Sequence, residues 1–109
     1  MKEINLELFR TPTAKVFTGR DRGIEVRTNS KIDELELQSD KIKIIIPEDI
    51  RSINPSFLEE FLFNVVTKLN KEGFMKKFIF ENKSSRYDFT NDLEEAIDCI
   101  LRRNNALTK

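Results

Sequence analysis

A chain of 109 residues, 39% hydrophobic and 35% charged, has the size of one domain that buries about two-thirds of the surface its unfolded form exposes, so its core needs neither metal nor disulfide. Nineteen basic residues balance nineteen acidic ones, which excludes a globally basic nucleic-acid binder, and nine Phe without Trp fit a charged-surface globular protein better than a disordered one. The single Cys99 excludes an internal disulfide, and with no N-terminal apolar run the expectation is a cytoplasmic protein without signal peptide or membrane span.

In chain order, Ile4, Leu6 and Leu8 alternate with Asn5 and Glu7, the two-residue period of a half-buried strand, which Phe9 closes. Thr11-Pro12-Thr13 signals a turn, and Ala14 to Phe17 is expected to return beside the first strand as a hairpin that Gly19 ends. Residues 19–38 alternate like a strand at Ile24, Val26 and Thr28, but Ile24, Thr28, Ile32 and Leu35 also fit a helical face. The reading taken is helix, with Ser30 and Asp33 spaced for a capping box.

Ile42, Ile44, Ile45 and Ile46 form too continuous a β-branched run for a one-sided strand and read as the central strand. Pro47 ends it, because it cannot donate to a ladder. The loop that follows exposes Glu48, Asp49, Arg51 and Ser52 and tucks Ile50 and Ile53 underneath. Asn54-Pro55 then starts a helix: Asn is a favoured N-cap, and the missing N–H of Pro is harmless in the first turn. Phe57, Leu58, Phe61, Leu62, Val65 and Leu69 make its apolar stripe, widened by Phe63 and Val66. The stripe places Phe57 in the core.

Gly73 stands where a C-terminal cap belongs, and a strand is expected over 76–81 with Phe78 and Phe80 on one face and Ile79 on the other. Strand, helix, strand in this order implies a parallel crossover. After a polar loop over 82–89, which reads equally as a partner contact through Arg86 and Tyr87 and as a plain polar connection, the last helix opens at Asn91 with Glu94 three residues on. Its face is Leu93, Ala96, Ile97, Ile100 and Leu101, and Arg102 and Arg103 near its end complement the helix dipole. Cys99 falls within this helical pattern and, with no His in the chain to activate it, reads as a small core or boundary residue.

Charge is uneven: residues 33–60 hold 3 basic and 8 acidic side chains, whereas residues 61–87 hold 6 and 2. An acidic zone beside the helix start argues against phosphate-backbone binding there. Without paired-carboxylate or metal-spaced motifs, catalysis is the weakest class and no cofactor is indicated. Arg20 and Arg27, near Gly19 and Gly23, are candidate anion contacts, although no glycine-rich phosphate cradle accompanies them and the glycines are explained as turn residues.

The order of hairpin, crossing segment, Ile-rich strand, loop, Ser at a helix start, strand and final helix resembles the STAS fold. More narrowly, it is similar to small bacterial STAS-like domains without assigned function. The resemblance is carried by Gly19-Arg20, Gly23, Arg27, Ile50 to Ile53, Pro55-Ser56-Phe57-Leu58-Glu59-Glu60-Phe61, Gly73-Phe74 and Phe78-Ile79-Phe80 with Asn82, over roughly residues 1–105. It implies a single α/β domain over residues 1–109, with an about four-stranded mixed sheet, an N-terminal hairpin and helices mainly on one face. In anti-sigma-factor antagonists, which share the parent fold, a Ser or Thr at this helix start is phosphorylated by an ATP-binding kinase partner. Ser56 matches that position, but Asn54-Pro55-Ser56-Phe57 lacks the acid and the glycine usual there.

The function expected from this resemblance is non-enzymatic: a regulatory module in bacterial signalling that presents the helix start to a protein partner, a kinase-type ATPase or anti-sigma-like regulator. Asn54, Ser56, Glu48, Asp49 and Glu59 would form the partner surface, with Ser56 as candidate phosphoacceptor. A phosphate in the first helical turn suits the dipole, and its charge would be repelled by Glu48, Asp49, Glu59 and Glu60. The alternatives are a small-molecule or nucleotide sensor using the same helix N-terminus as an anion site, and a structural adaptor that forms a homodimer.

Overall fold

The structure is a computed structural model that describes residues 1–85 and 87–107. Its first strand, β1, covers Lys2–Asn5. The alternation stops there because the Asn5 side chain accepts the Glu7 N–H at 3.0 Å and caps a 3-10 turn over Leu6–Phe9. A side chain that offers the backbone a local partner competes with the ladder. Leu6 is still buried, but Leu8, expected on the same strand face, is 77% exposed.

The expected hairpin does not form. After a turn closed by Ala14 N–H donating to the Thr11 carbonyl, strand β2, Val16–Phe17, pairs in parallel with β4, Ser52–Ile53. Two-residue strands carry too little pattern to announce a partner 36 positions away, as Val16 and Ser52 are.

Helix is the outcome over 19–38, as two segments: α1, Arg20–Ser30, and α2, Ile32–Gln38, joined by Lys31 in the left-handed region. The Ser30–Asp33 capping box is absent. Ser30 Oγ instead donates back to the Arg27 carbonyl at 3.4 Å, while Asp33 accepts from the Asn64 side chain at 2.8 Å. The buried face of α1 is Gly23, Val26 and Ser30; Ile24, expected inside, is 41% exposed.

Strand β3, Ile42–Ile46, is central as expected, between β1 and β5, Phe78–Asn82. Both pairings are parallel, so the molecule has a three-stranded and a two-stranded parallel sheet in place of one mixed sheet of four strands. In register, Ile4, Ile44 and Phe80 share one face, and Glu3, Lys43 and Ile79 the other. The first row faces the core. In the second, Lys43 lies 3.7 Å from Glu3 and 3.5 Å from Glu81, and Ile79 is 40% exposed. The order β1-β3-β5 advances in one direction, and right-handed crossovers that all advance one way leave their helices on one face.

Helix α3, Pro55–Lys77, has Asn54 as N-cap and Pro55 in its first turn, as the sequence suggests, but it is interrupted at Asn70, whose φ of 61° and ψ of 177° are not helical. Gly73 caps nothing: Gly19 is the only glycine with positive φ, and the helix resumes past Gly73 and takes in Lys76 and Lys77, where the strand was expected to begin. Phe74 then stacks on Phe78 with centroids 4.7 Å apart, fixing the turn from helix to strand. The last helix, α4, Thr90–Leu107, starts one residue early because Asp88 accepts the Thr90 N–H at 3.0 Å. Leu93, Ala96, Ile97 and Ile100 are buried and Leu101 packs against the core, so its stripe is as read. Cys99 is a free, half-buried thiol.

Candidate functional site

The sequence places a hydroxyl in the first turn of α3, and the structure gives it a defined neighbourhood. Asn54 Oδ1 accepts two hydrogen bonds, from the Ser56 N–H at 2.8 Å and from Ser56 Oγ at 2.7 Å. The first is an N-cap bond; the second fixes the hydroxyl as a donor on a half-buried residue. Beneath it Phe57 is buried, as expected, its ring 5.1 Å from that of Phe17 and 5.8 Å from that of Phe61. Ile50 and Ile53 are each 1% exposed, which pins the preceding loop to the core.

One helical turn on, Glu59 and Glu60 form a charge cluster. Glu59, its side chain only 7% exposed, lies 3.0 Å from Arg20 Nη1 and 3.6 Å from Arg103 Nη1. Glu60 is 3.5 Å from Arg20 and 3.4 Å from Arg103, and its carbonyl accepts from Arg27 at 2.7 Å. Arg103 also stands over the Phe63 ring at 4.9 Å. Three helices are tied here: α1 through Arg20 and Arg27, α3 through its acids, and α4 through Arg103. The hydrogen bond to Glu59 raises the Arg20 pKa beyond its usual value.

Gly23 brings α1 this close. A Cβ on it would sit 2.5 Å from the Phe57 carbonyl oxygen and 2.9 Å from Glu60 Cβ, so the glycine serves a helix crossing and not a turn. Gly19, with φ of +94°, is the one that serves a turn.

The expected site therefore divides. Ser56, Asn54, Glu59, Arg20 and Arg27 come together at the start of α3. Glu48 and Asp49 instead line a crevice of about 510 Å³ that does not include Asn54, Ser56 or Glu59 among its walls. The acids expected to repel a phosphate are mostly matched: Glu59 and Glu60 by Arg20 and Arg103, and Asp49 by a two-pronged bond from Arg10 at 2.5 and 2.9 Å. That bond holds the Asp49 carboxyl at a pKa of about 2, well below its ordinary value. Arg20 and Arg27, read as anion contacts, are turned onto acceptors of the chain itself.

The sequence pattern gives Arg103 only a helix-dipole role and gives Arg10 none. Arg103 looks sufficient as a dipole partner in the last turn, yet the helix runs on to Leu107 and the guanidinium crosses to α3. Its partner Glu60 is 43 positions away, a separation that leaves no local pattern. Tyr87, read equally as a partner contact or as part of a polar connection, is a latch: its hydroxyl is 3.1 Å from the Ile53 carbonyl and 2.5 Å from Asp92 Oδ2. Burial and the bond to Asp92 push its phenol pKa up. Arg86 lies outside the described residues.

Among the described residues no group of three His, Cys, Asp or Glu side chains is gathered to hold a metal ion, and no helix is long and apolar enough to cross a membrane. Comparison with protein-family models, with curated proteins and with solved structures found no match.

Proposed function

We propose that this chain is a non-enzymatic regulatory module of the STAS-like type, whose α3 start and preceding loop dock on a protein partner and whose Ser56 is the switch. The observation that supports this reading is the position of the Ser56 hydroxyl, held by Asn54 at 2.7 Å, one turn ahead of the Glu59/Glu60 cluster that joins three helices. The partner class, a kinase-type ATPase, comes from the resemblance to anti-sigma-factor antagonists.

In the switch, the γ-phosphoryl group of ATP moves to Ser56 Oγ. The P–Oγ bond forms, the bond to the β-phosphate oxygen breaks to leave ADP, and the hydroxyl proton passes to a base of the partner. The esterified oxygen can no longer donate to Asn54. Its phosphate adds about −1.5 to −2 charge one turn from Arg20, whose side chain is 52% exposed and free to swing from Glu59 toward the new anion. Release of one guanidinium would loosen α1 from α3 and change the docking surface.

The test is capture from lysate of the native host on immobilised wild type, Ser56→Ala and Ser56→Asp, with the retained proteins identified by mass spectrometry. An ATP-binding protein held by wild type and Ser56→Ala but lost with Ser56→Asp is the expected result. The same proteins on all three columns, or none on any, would overturn the reading.

A further inference from the structure

The crevice that holds Glu48 and Asp49 lies away from the start of α3, and its place in the fold is informative. Its walls come from the segment after β1 (Glu7), the segment after β3 (Glu48 to Arg51) and the segment after β5 (Ser84, Ser85), with Lys15 at the entrance to β2. It therefore opens at the carboxyl ends of all three parallel strands of the main sheet, the end at which open α/β sheets bind ligands.

The crevice is braced before any ligand arrives. Lys83 N–H donates to the Ile46 carbonyl at 3.0 Å, joining the ends of β5 and β3. Ser84 Oγ donates to the Ile50 carbonyl at 2.8 Å. The Arg10 side chain, 8% exposed, closes onto Asp49 and Glu7, so its one positive charge is already shared by two of the three wall carboxylates.

What remains is a pair of cations set side by side on the crevice wall. Arg51 N–H donates to the Lys15 carbonyl at 2.7 Å, one rung before the Val16↔Ser52 pair of β2 and β4. Lys15 and Arg51 are therefore cross-strand neighbours that both line the crevice. Like charges on neighbouring strands repel. Among the described residues neither side chain has a hydrogen bond or ion pair; Lys15 is attracted to Asp49 only through space, and Arg10 already occupies that carboxylate. An anion between the two would turn the repulsion into two attractions.

We propose that this crevice binds a small organic oxyanion, a carboxylate or phosphate ester, between Lys15 and Arg51. Glu48, exposed and unpaired among the described residues, faces the same space and accepts from a donor group elsewhere on the ligand. The site is independent of Ser56 and of any partner at α3.

The experiment is an NMR titration of the ¹⁵N-labelled chain with inorganic phosphate and, separately, with succinate, each against sodium chloride at matched ionic strength. The expected result is saturable shifts confined to the segments around Lys15, residues 48–51 and residues 84–85. Lys15→Gln/Arg51→Gln should bind at least about tenfold more weakly, the loss of two charge-assisted contacts, while Arg20→Gln binds like wild type. Saturation by phosphate alone assigns the phosphate class and by succinate alone the carboxylate class; both together assign a general oxyanion site. Shifts that stay linear with both probes, or that persist unchanged in the double variant, overturn the proposal. Arg51→Gln supplies a check that needs no ligand: it removes one of the two repelling cations without adding an acid, so it should melt no lower than wild type and bind the anion more weakly. A clearly lower melting temperature would mean that the Lys15–Arg51 neighbourhood is not repulsive and would remove the argument for the site.

Discussion

At Gly23 a single missing methyl group sets the distance between two helices. An added Cβ would meet the backbone oxygen of Phe57 at 2.5 Å, and a helix carbonyl cannot rotate out of the way as a side-chain tip can. Gly23→Ala should therefore push α1 off α3, with a cost of about 1–3 kcal/mol read as a lower urea midpoint with unchanged slope. The same displacement would carry Arg20 and Arg27 away from Glu59 and Glu60, so the variant should also respond less to Glu59→Gln than wild type does. In wild type that substitution removes the charge of a buried carboxylate between two half-exposed arginines. Its cost is about 1–2 kcal/mol, since the exposed partners regain water; a double-mutant cycle checks both values. Asn54, Pro55 and Ser56 were legible because capping chemistry is local, acting within two residues. Arg20 and Glu59 are 39 positions apart and Arg103 is further still, so their meeting depends on helix packing that no spacing rule encodes.

Among the elements, α3 is the one whose course departs most from its sequence pattern. Its apolar stripe to Leu69 was readable because burial repeats every three or four residues, and so was α4. The break was not, because nothing local distinguishes Asn70 from the residue before a glycine cap. Across the molecule, Glu36 of α2 is bonded to both halves of the interrupted helix. That buried carboxylate accepts from Lys68 at 2.6 Å, two residues before Asn70, and from Lys77 at 2.7 Å, at the end of the helix, so one acid clamps the two segments together. Asn70 itself sits at φ 61° and ψ 177°, a region that is essentially glycine's. Asn70→Gly should then stabilise the fold by about 1 kcal/mol, measured as a raised urea midpoint. Burial pushes the Glu36 carboxyl pKa upward, but the hydrogen bonds from Lys68 and Lys77 outweigh it, and the net direction is below the ordinary value of 4.5. A carboxyl lowered in the folded state adds stability that is complete above its unfolded pKa and disappears as pH falls through the folded one. Glu36→Gln should consequently be less stable than wild type at neutral pH. The gap should close as both are taken into acid below that value, as followed by denaturant titration across pH.

For the whole molecule, the direction of winding decides which surfaces exist. The central place of β3 and the parallel crossover to β5 follow from the Ile run and from strand, helix, strand order. The partner of β2 does not, and neither does the loss of the N-terminal hairpin. The strands β1, β3 and β5 are added in one direction, and the sheet face opposite the core row, a face that parallel sheets usually cover, carries its own exposed side chains. They are charged in a compensating pattern: Lys43 on the central strand stands between Glu3 and Glu81 on the edge strands, at 3.7 and 3.5 Å, and Glu81 is also 3.8 Å from Lys83. Such a row lets a sheet face stay in water, and its two signs are what a flat apolar face would lack. Lys43→Glu puts three carboxylates side by side across the strands and tests whether this row contributes to stability. The expected loss is about 1 kcal/mol at low salt. The pairs are partly exposed, so most of that loss should vanish in about 1 M NaCl, where the screening length falls to roughly 3 Å. Lys43→Met should lose less than Lys43→Glu at low salt and show little dependence on it, because it removes the attraction without adding repulsion. If both variants unfold at the same urea concentration in either salt, the face is held by packing of Ile45 and Ile79 and the charge row is incidental to it.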